Sequence, residues 1–275
     1  MNKKSYKAEV FAKINLSLEI VGKAGDLHTL KMLVCPYKGF SDIVEFVPEE
    51  REGINGIEAC ASFEGFDRAR FCDFFLPKAQ AIAKRLGIGG RLIVKKGVPL
   101  GAGLGGSTAS IVGALNAMCE YAGDISKSTA LDSGFLLKLG SDVPCMLYGE
   151  SCIVEGVGDI VKPVEIPIDL SDLRVEIAKG GSDTKTCYAL YDRLKAENGE
   201  IDTSACKDGE ARVNDCAEGV EIGGECINVY KNDLTLPASM LNENIKNLIC
   251  DLKKTYKTVF LSGSGSAVVF KTNKT

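Results

Sequence analysis

The segment Pro99-Leu100-Gly101-Ala102-Gly103-Leu104-Gly105-Gly106-Ser107-Thr108 is the part of the chain best suited to chemistry. A short strand is expected just before it, over Arg91–Lys96. A buried helix is expected after it, starting near Ser107 and running through the apolar stretch Ala109–Met118. Strand, glycine loop and helix together make an anion site. The first turn of a helix has N–H donors with no partner inside the helix. They carry roughly half a positive charge. Glycines let the backbone approach phosphate oxygens closely. Ser107 and Thr108 add hydroxyls that can bond phosphate or a metal-bound water.

Three motifs compete for such a loop. A Walker A loop requires a lysine directly after its glycines, and none follows Gly106. Gly101, Gly103 and Gly106 do satisfy the G-x-G-x-x-G of dinucleotide folds. Against that, Pro99 and Leu100 separate strand from glycines, and no strand ending in an acid follows about 20 residues on. A ligand-free glycine turn is the third reading, and the crowding of glycines argues against it.

The elements around the loop read as a mixed chain. Residues 6–22 suggest a strand or a pair of strands, and 28–47 more strand with turns near Pro36 and Gly39. Residues 54–64 suggest another strand. Phe75, Ala79, Ile82, Ala83 and Leu86 recur at helical spacing before Gly87, predicting a helix over 72–86. A helical stretch is expected over 128–139, ended by Gly140–Pro144, and a strand over 152–161. Pro163 and Pro167 suggest a boundary, giving domains 1–162 and 163–275. In the second, a strand at 173–178, a helix at 184–196, a helix at 240–254 and a strand–turn–strand at 258–270 are expected. Residues 197–226, rich in Gly, Asp and Glu, read as a long surface excursion.

Bulk composition narrows the function. The 275 residues are 45% hydrophobic and 25% charged, with net charge −4, an ordinary globular balance. No long Lys/Arg run exists, so no nucleic-acid partner is expected. No run of 18 apolar residues exists, so no membrane span is expected. The 11 cysteines are scattered with no C-x-x-C pair, which speaks against a zinc knuckle. With no signal-like N-terminus, the expectation is a cytoplasmic protein with reduced thiols.

The spelling of the glycine segment resembles the second motif of the GHMP kinase superfamily, P-x-G-x-G-L-G-S-S-A. Pro99, Gly101, Gly103, Leu104, Gly105 and Ser107 match it. Phe11-Ala12-Lys13-Ile14-Asn15-Leu16 resembles the first motif, P-A-K-x-N-L. Leu261-Ser262-Gly263-Ser264-Gly265-Ser266 resembles the third, a glycine turn joining two strands. Gly25-Asp26-Leu27-His28-Thr29-Leu30, Leu139-Gly140-Ser141-Asp142-Val143-Pro144 and Glu155-Gly156-Val157-Gly158-Asp159 look like segments of one branch, the 4-diphosphocytidyl-2-C-methyl-D-erythritol kinases. The likeness runs from about residue 8 to 271.

The resemblance implies an α+β fold of two domains: an N-terminal domain like domain 2 of ribosomal protein S5, and a ferredoxin-like C-terminal domain, with the active site between them. It implies ATP-dependent phosphorylation of the 2-hydroxyl of a cytidyl-diphosphate sugar alcohol, with Mg²⁺, by a monomer or weak homodimer. Asp142 would be the general base. Lys13 would keep that carboxylate ionised and steady charge on the phosphoryl oxygens. Pro99, Gly101, Ala102, Gly103, Leu104, Gly105, Gly106, Ser107 and Thr108 would hold the nucleotide phosphates. Asn15, two residues from Lys13 on a strand and so on the same face, would bond substrate hydroxyls. His28 would hydrogen-bond cytosine and Tyr188 stack on it.

Several positions depart from the family pattern. Leu27 replaces the aromatic before the histidine, removing stacking that can be worth about 1–3 kcal/mol. Phe74-Phe75 stands where an Asn-Leu pair is usual. The second motif lacks the Asp or Asn that commonly follows its serines. The chain ends soon after the third motif, so a truncated second domain is expected. Two alternatives stay open: a kinase of another small alcohol, and a non-catalytic nucleotide-binding relative.

Overall fold

A computed structural model describes residues 4–123, 131–199 and 218–272. The chain forms two compact units, neither of them a consecutive stretch. Unit 1 gathers Met1–Ala12, Pro36–Pro99 and Gly105–Gly149; unit 2 gathers Lys13–Cys35, Leu100–Leu104 and Glu150–Thr275. Strand β1 (Tyr6–Ala24) starts in unit 1 and ends in unit 2, and β2 (Leu27–Pro48) runs the other way. β1 is one strand rather than two, and it turns into β2 at Gly25–Asp26. β2 passes Pro36 and Gly39 without the expected turns. Pro36 lies between the stretches of β2 that pair with β5, residues 30–34, and with β4, residues 43–48, so its missing N–H breaks no bond of either ladder.

In unit 1, residues 43–48 of β2 run antiparallel to β4 (Gly89–Lys96), with Val44 opposite Val94 and Phe46 opposite Leu92. β3 (Gly53–Ala61) runs parallel to β4. A parallel pair needs a long crossover, and helix α1 (Arg68–Leu86) supplies it. The helix starts four residues earlier than its apolar period suggests, because the Asp67 side chain caps it by accepting from the Arg70 N–H. It buries Phe71, Phe75, Ala79, Ile82 and Ala83 along one face and stops at Gly87, at φ 65°. α2 (Gly106–Ala122) is buried on nearly all sides, in keeping with its mostly small and apolar residues. α3 (Ser133–Leu139) covers the described end of the stretch expected at 128–139; residues 128–130 lie outside the described residues. A short helix not anticipated, α4 (Val143–Tyr148), follows Gly140–Asp142 and packs on α2.

In unit 2, residues 30–34 of β2 pair antiparallel with β5 (Cys152–Gly156), which pairs with β6 (Ile160–Pro163). The expected single strand at 152–161 is thus two. The Asp159 carboxylate accepts from the Val157 N–H and forms the turn between them. β7 (Leu173–Ile177) flanks β11 (Ala267–Lys271), whose other edge takes β10 (Val259–Leu261). α5 (Thr184–Asn198) is capped by Asp183. Residues 218–226, expected in a surface excursion, fall instead in a hairpin of β8 (Glu218–Ile222) and β9 (Glu225–Val229). Residues 200–217 lie outside the described residues.

The helix expected over 240–254 is divided into α6 (Thr235–Leu241) and α7 (Glu243–Lys253). Asn242 is extended between them. Its carbonyl side chain accepts from Asn244 N–H, and its amide donates to the carbonyls of Lys179 and Gly180. A residue that satisfies three backbone groups outside a helix is better placed at a cap than inside one. No disulfide joins the described cysteines.

Candidate active site

The first half of the glycine loop belongs to unit 2 and is fastened to the third-motif turn. The Ala267 N–H donates to the Ala102 carbonyl at 2.8 Å. The Ser262 hydroxyl donates to the Gly103 carbonyl at 3.1 Å. The Lys13 N–H donates to the Leu104 carbonyl at 3.0 Å. The same Ser262 oxygen accepts from the Asn15 N–H at 3.1 Å. All three motifs read from the sequence therefore meet at one hydrogen-bonded cluster.

Gly103 shows why only glycine fits. Its φ is 85°, and a Cβ there would lie 2.1 Å from the Ser262 carbonyl oxygen. Gly103→Ala is expected to combine backbone strain of about 1–3 kcal/mol with a clash against backbone. A lower thermal midpoint and a raised KM for ATP check it; a variant with wild-type values for both would refute the assignment.

The turn itself is clamped from below. Buried Asn232 donates to the carbonyls of Leu261 and Gly263 at 2.9 and 2.7 Å, while its own oxygen accepts from the Leu234 N–H. Nothing in the local sequence around Asn232 marks this role.

Lys13 and Asn15 share a face of β1, as their spacing implies, and both are buried. The Lys13 ammonium donates to the Asn15 side-chain oxygen. The Asn15 amide nitrogen reaches the Met32 sulfur at 3.3 Å. Both ends of the Asn15 amide are thus engaged inside unit 2, and one of them holds Lys13.

The second half of the loop opens unit 1. Gly105 caps α2 in a left-handed conformation, and no side chain caps the helix. The first turn carries no acidic residue, so an anion meets no like charge there. Gly106 sits so close to the chain before it that a Cβ would lie 2.2 Å from the Pro99 carbonyl oxygen. Ser107 is half-buried and Thr108 buried.

A buried charge pair lies within unit 1, beside the start of α2. The Lys96 ammonium contacts Asp42 Oδ2 at 2.5 Å, with both side chains wholly buried. It also donates to the Gly106 carbonyl at 2.5 Å. Asp42 accepts from the N–H groups of Gly97 and Val98 at 3.0 and 2.9 Å and from the Ser110 hydroxyl at 2.6 Å. One carboxylate thereby ties strand end, loop entry and helix together. Desolvation holds the Lys96 ammonium below the usual lysine value, with Asp42 acting against that shift. Ser110 occupies the region where the family's Asp or Asn was missed, and it contributes a hydroxyl to this node.

Asp142 stands at the N-cap of α4, half-buried, and its side chain makes no capping hydrogen bond. α4 packs on α2, and a Cβ at Gly140 would lie 3.9 Å from the Thr108 hydroxyl.

His28 and Tyr188 do come together in unit 2. Their rings stack with centroids 4.7 Å apart and 27° between planes. Tyr191 meets the same imidazole edge-on at 6.3 Å. Asp192, which sequence reasoning missed, places Oδ1 2.8 Å from His28 Nε2 and Oδ2 2.7 Å from Lys23 Nζ. Its position four residues after Tyr188, on the same helix face, was the available signal. Leu27 is 61% exposed and supplies no aromatic wall. Phe74 is also exposed, with the Lys78 ammonium over its ring.

Among the described residues no set of three His, Cys, Asp or Glu side chains could hold a metal ion. Burial pushes the Cys35 and Cys187 thiols up to about 12, away from thiolate chemistry. No helix among the described residues is long and apolar enough to cross a membrane.

Comparison with known proteins identifies the family. The family model described as GHMP kinases N terminal domain matches residues 74–150. The 4-diphosphocytidyl-2-C-methyl-D-erythritol kinase of Carboxydothermus hydrogenoformans is 30% identical over 261 residues, covering 94% of this chain and 85% of that one. The chain belongs to this kinase family. The same-named kinase of Prochlorococcus marinus is 28% identical over 266 residues, covering 93% of this chain and 81% of the relative. Among solved structures, a 4-(cytidine 5'-diphospho)-2C-methyl-D-erythritol kinase superposes with a TM-score of 0.62 at 21% identity, covering 97% of this chain and 90% of that one. A homoserine kinase from Cytophaga hutchinsonii superposes at 0.53 and 18%, covering 98% and 85%. These superpositions show the GHMP kinase fold. The protein is an ATP-dependent phosphotransferase acting on a small molecule.

Proposed function

We propose that the protein phosphorylates the 2-hydroxyl of 4-diphosphocytidyl-2-C-methyl-D-erythritol in isoprenoid biosynthesis. The observation that carries this is the meeting of Lys13, the glycine loop and the 262–266 turn in one hydrogen-bonded cluster, in a chain of this family. The α2 N-terminus, with residues 99–108 leading into it, binds the ATP phosphates through backbone N–H groups. Asp142 accepts the hydroxyl proton. The freed oxygen forms a bond to the γ-phosphorus, the bond from that phosphorus to the bridging oxygen breaks, and ADP leaves. Lys13, steadied by Asn15, faces the charge on the transferred group. His28, laid against Tyr188, reads the base.

The donor set fits Mg²⁺ held mainly by phosphates and water. Ser107 and Thr108 offer hydroxyls at the helix start, and no carboxylate trio competes for the ion among the described residues. When bound, the ion neutralises phosphate charge. Chelation by excess EDTA is expected to abolish turnover, restored by added Mg²⁺.

The direct test incubates the purified protein with ATP, Mg²⁺ and the cytidyl substrate and follows ADP release. Turnover no greater than that of Asp142→Asn would overturn the proposal. A panel of mevalonate, homoserine and sugar acceptors covers the reading suggested by exposed Leu27, a kinase of another small alcohol.

A further inference from the structure

His28 is the only histidine in the chain, and its surroundings say more than that it is near an aromatic. Its Nε2 lies 2.8 Å from Asp192 Oδ1. An ionised carboxylate only accepts hydrogen bonds, so Nε2 must carry the proton. Among the described residues Nδ1 has no hydrogen-bonding partner. The second Asp192 oxygen is taken by the Lys23 ammonium at 2.7 Å. Asp192 is kept ionised. Desolvation would raise its pKa, and the hydrogen bonds from His28 and Lys23 outweigh it, leaving the value lowered. Tyr188 stacks on one face of the ring and Tyr191 meets its edge, which limits rotation of the imidazole.

We propose that Asp192 is a positioning residue for base selection: it fixes His28 as the Nε2–H tautomer, leaving Nδ1 a hydrogen-bond acceptor that favours an amino-pyrimidine over a keto-pyrimidine. The inference rests on the reading of His28 as the base-recognition residue. A neutral imidazole has one donor and one acceptor nitrogen, and the hydrogen bond made by one sets the other. Cytosine presents an exocyclic amino donor. Uracil presents a carbonyl at that position, which would set one acceptor against another. A site built to hydrogen-bond a substrate group rejects the analogue that leaves its polar atoms unpaired. Asp192 itself touches no substrate; it acts through the imidazole. This role is a second device for base choice beside aromatic stacking, in a chain where Leu27 cannot stack.

The test uses cytidine 5'-diphosphate and uridine 5'-diphosphate as probes with the full chain. The wild type is expected to bind the cytidine diphosphate more tightly. Asp192→Ala is expected to lower the preference about tenfold while kcat at saturating substrate changes little. Asp183→Ala, which removes the α5 cap but no contact to the imidazole, is the structural control; it is expected to lower stability and leave the preference in place. Nitrogen-15 spectra of the single histidine read the tautomer directly. A protonated Nε2 and bare Nδ1 at pH 8, with Nδ1 shifting on addition of the cytidine diphosphate, support the proposal. A protonated Nδ1, or an unchanged preference in Asp192→Ala, overturns it. Should the alanine variant fail to fold, Asp192→Leu, close in size and with no acceptor for Nε2–H, carries the same two readouts. A wild type that prefers neither probe overturns the reading of His28 as well, whereas a preference that Asp192→Ala leaves intact overturns only the role of Asp192.

Discussion

Asp42→Ala is expected to destabilise the protein by about 3–5 kcal/mol, the cost of leaving one member of a buried ion pair without its partner. Lys96 would be left wholly buried, with the Gly106 carbonyl as its remaining hydrogen-bond acceptor and the Phe71 ring beside it. The N–H groups of Gly97 and Val98 and the Ser110 hydroxyl would lose the same acceptor. Against a total stability of about 5–15 kcal/mol, that loss is large. Urea unfolding checks it through the midpoint at constant slope; a change under about 1 kcal/mol would refute the role given to the pair. The sign of the pH dependence is also set. A lysine whose folded pKa lies below its unfolded one binds more protons unfolded, so stability rises with pH. The Lys96 value is already lowered by desolvation, and Asp42 resists that shift. Its removal therefore deepens the lowering, and the penalty shrinks as pH rises toward the ordinary lysine value of 10.5. Pairing Asp42→Asn with Lys96→Met, which removes both charges, is expected to recover much of the loss, since two apolar or neutral partners replace an uncompensated ion.

Asp142→Asn is expected to lower kcat by about 10²–10⁴, the usual range for removing a general base, with ATP binding retained. The structure makes this variant informative. The Asp142 side chain does not cap α4, so the amide removes no cap hydrogen bond. Lys13→Ala is expected to lower kcat as well. It also empties a buried position where the ammonium contacts Asn15, so its thermal midpoint should fall. A substitution at Asp142 that leaves kcat within about threefold of wild type, against the range for general bases, would remove the carboxylate from the mechanism. Measuring the thermal midpoint of each variant beside its kcat separates lost chemistry from lost folding.

Much of this site was legible before any fold was known. The glycine loop, its following helix and the strand pair 259–271 declare themselves through local signals: glycine spacing, apolar runs and turn residues. Such signals work because the conformations they select are set within a few residues, by sterics and hydrogen bonds along the chain. Lys13 and Asn15 were also placed on one face, since alternation along a strand is local. The breaks were less legible. Asn242 ends one helix and starts another because it reaches the carbonyls of Lys179 and Gly180, and those lie far away in sequence.

What only the tertiary structure decided is which polar groups find each other. Asp42 is one acidic residue in a strand, and by itself it reads as exposed. Its four donors come from Lys96, Gly97, Val98 and Ser110. Asp192 reaches a histidine 164 positions away, and Asn232 clamps a turn about 30 residues on. A buried polar side chain must be paired, but no local rule names the partner. The residue types of the kinase could be read from short motifs, because each motif makes its own turn or face. The carboxylate beneath the loop, the clamp beneath the turn and the partner behind the histidine emerged only when distant segments were packed together, because pairing at that range is settled by burial of the whole unit.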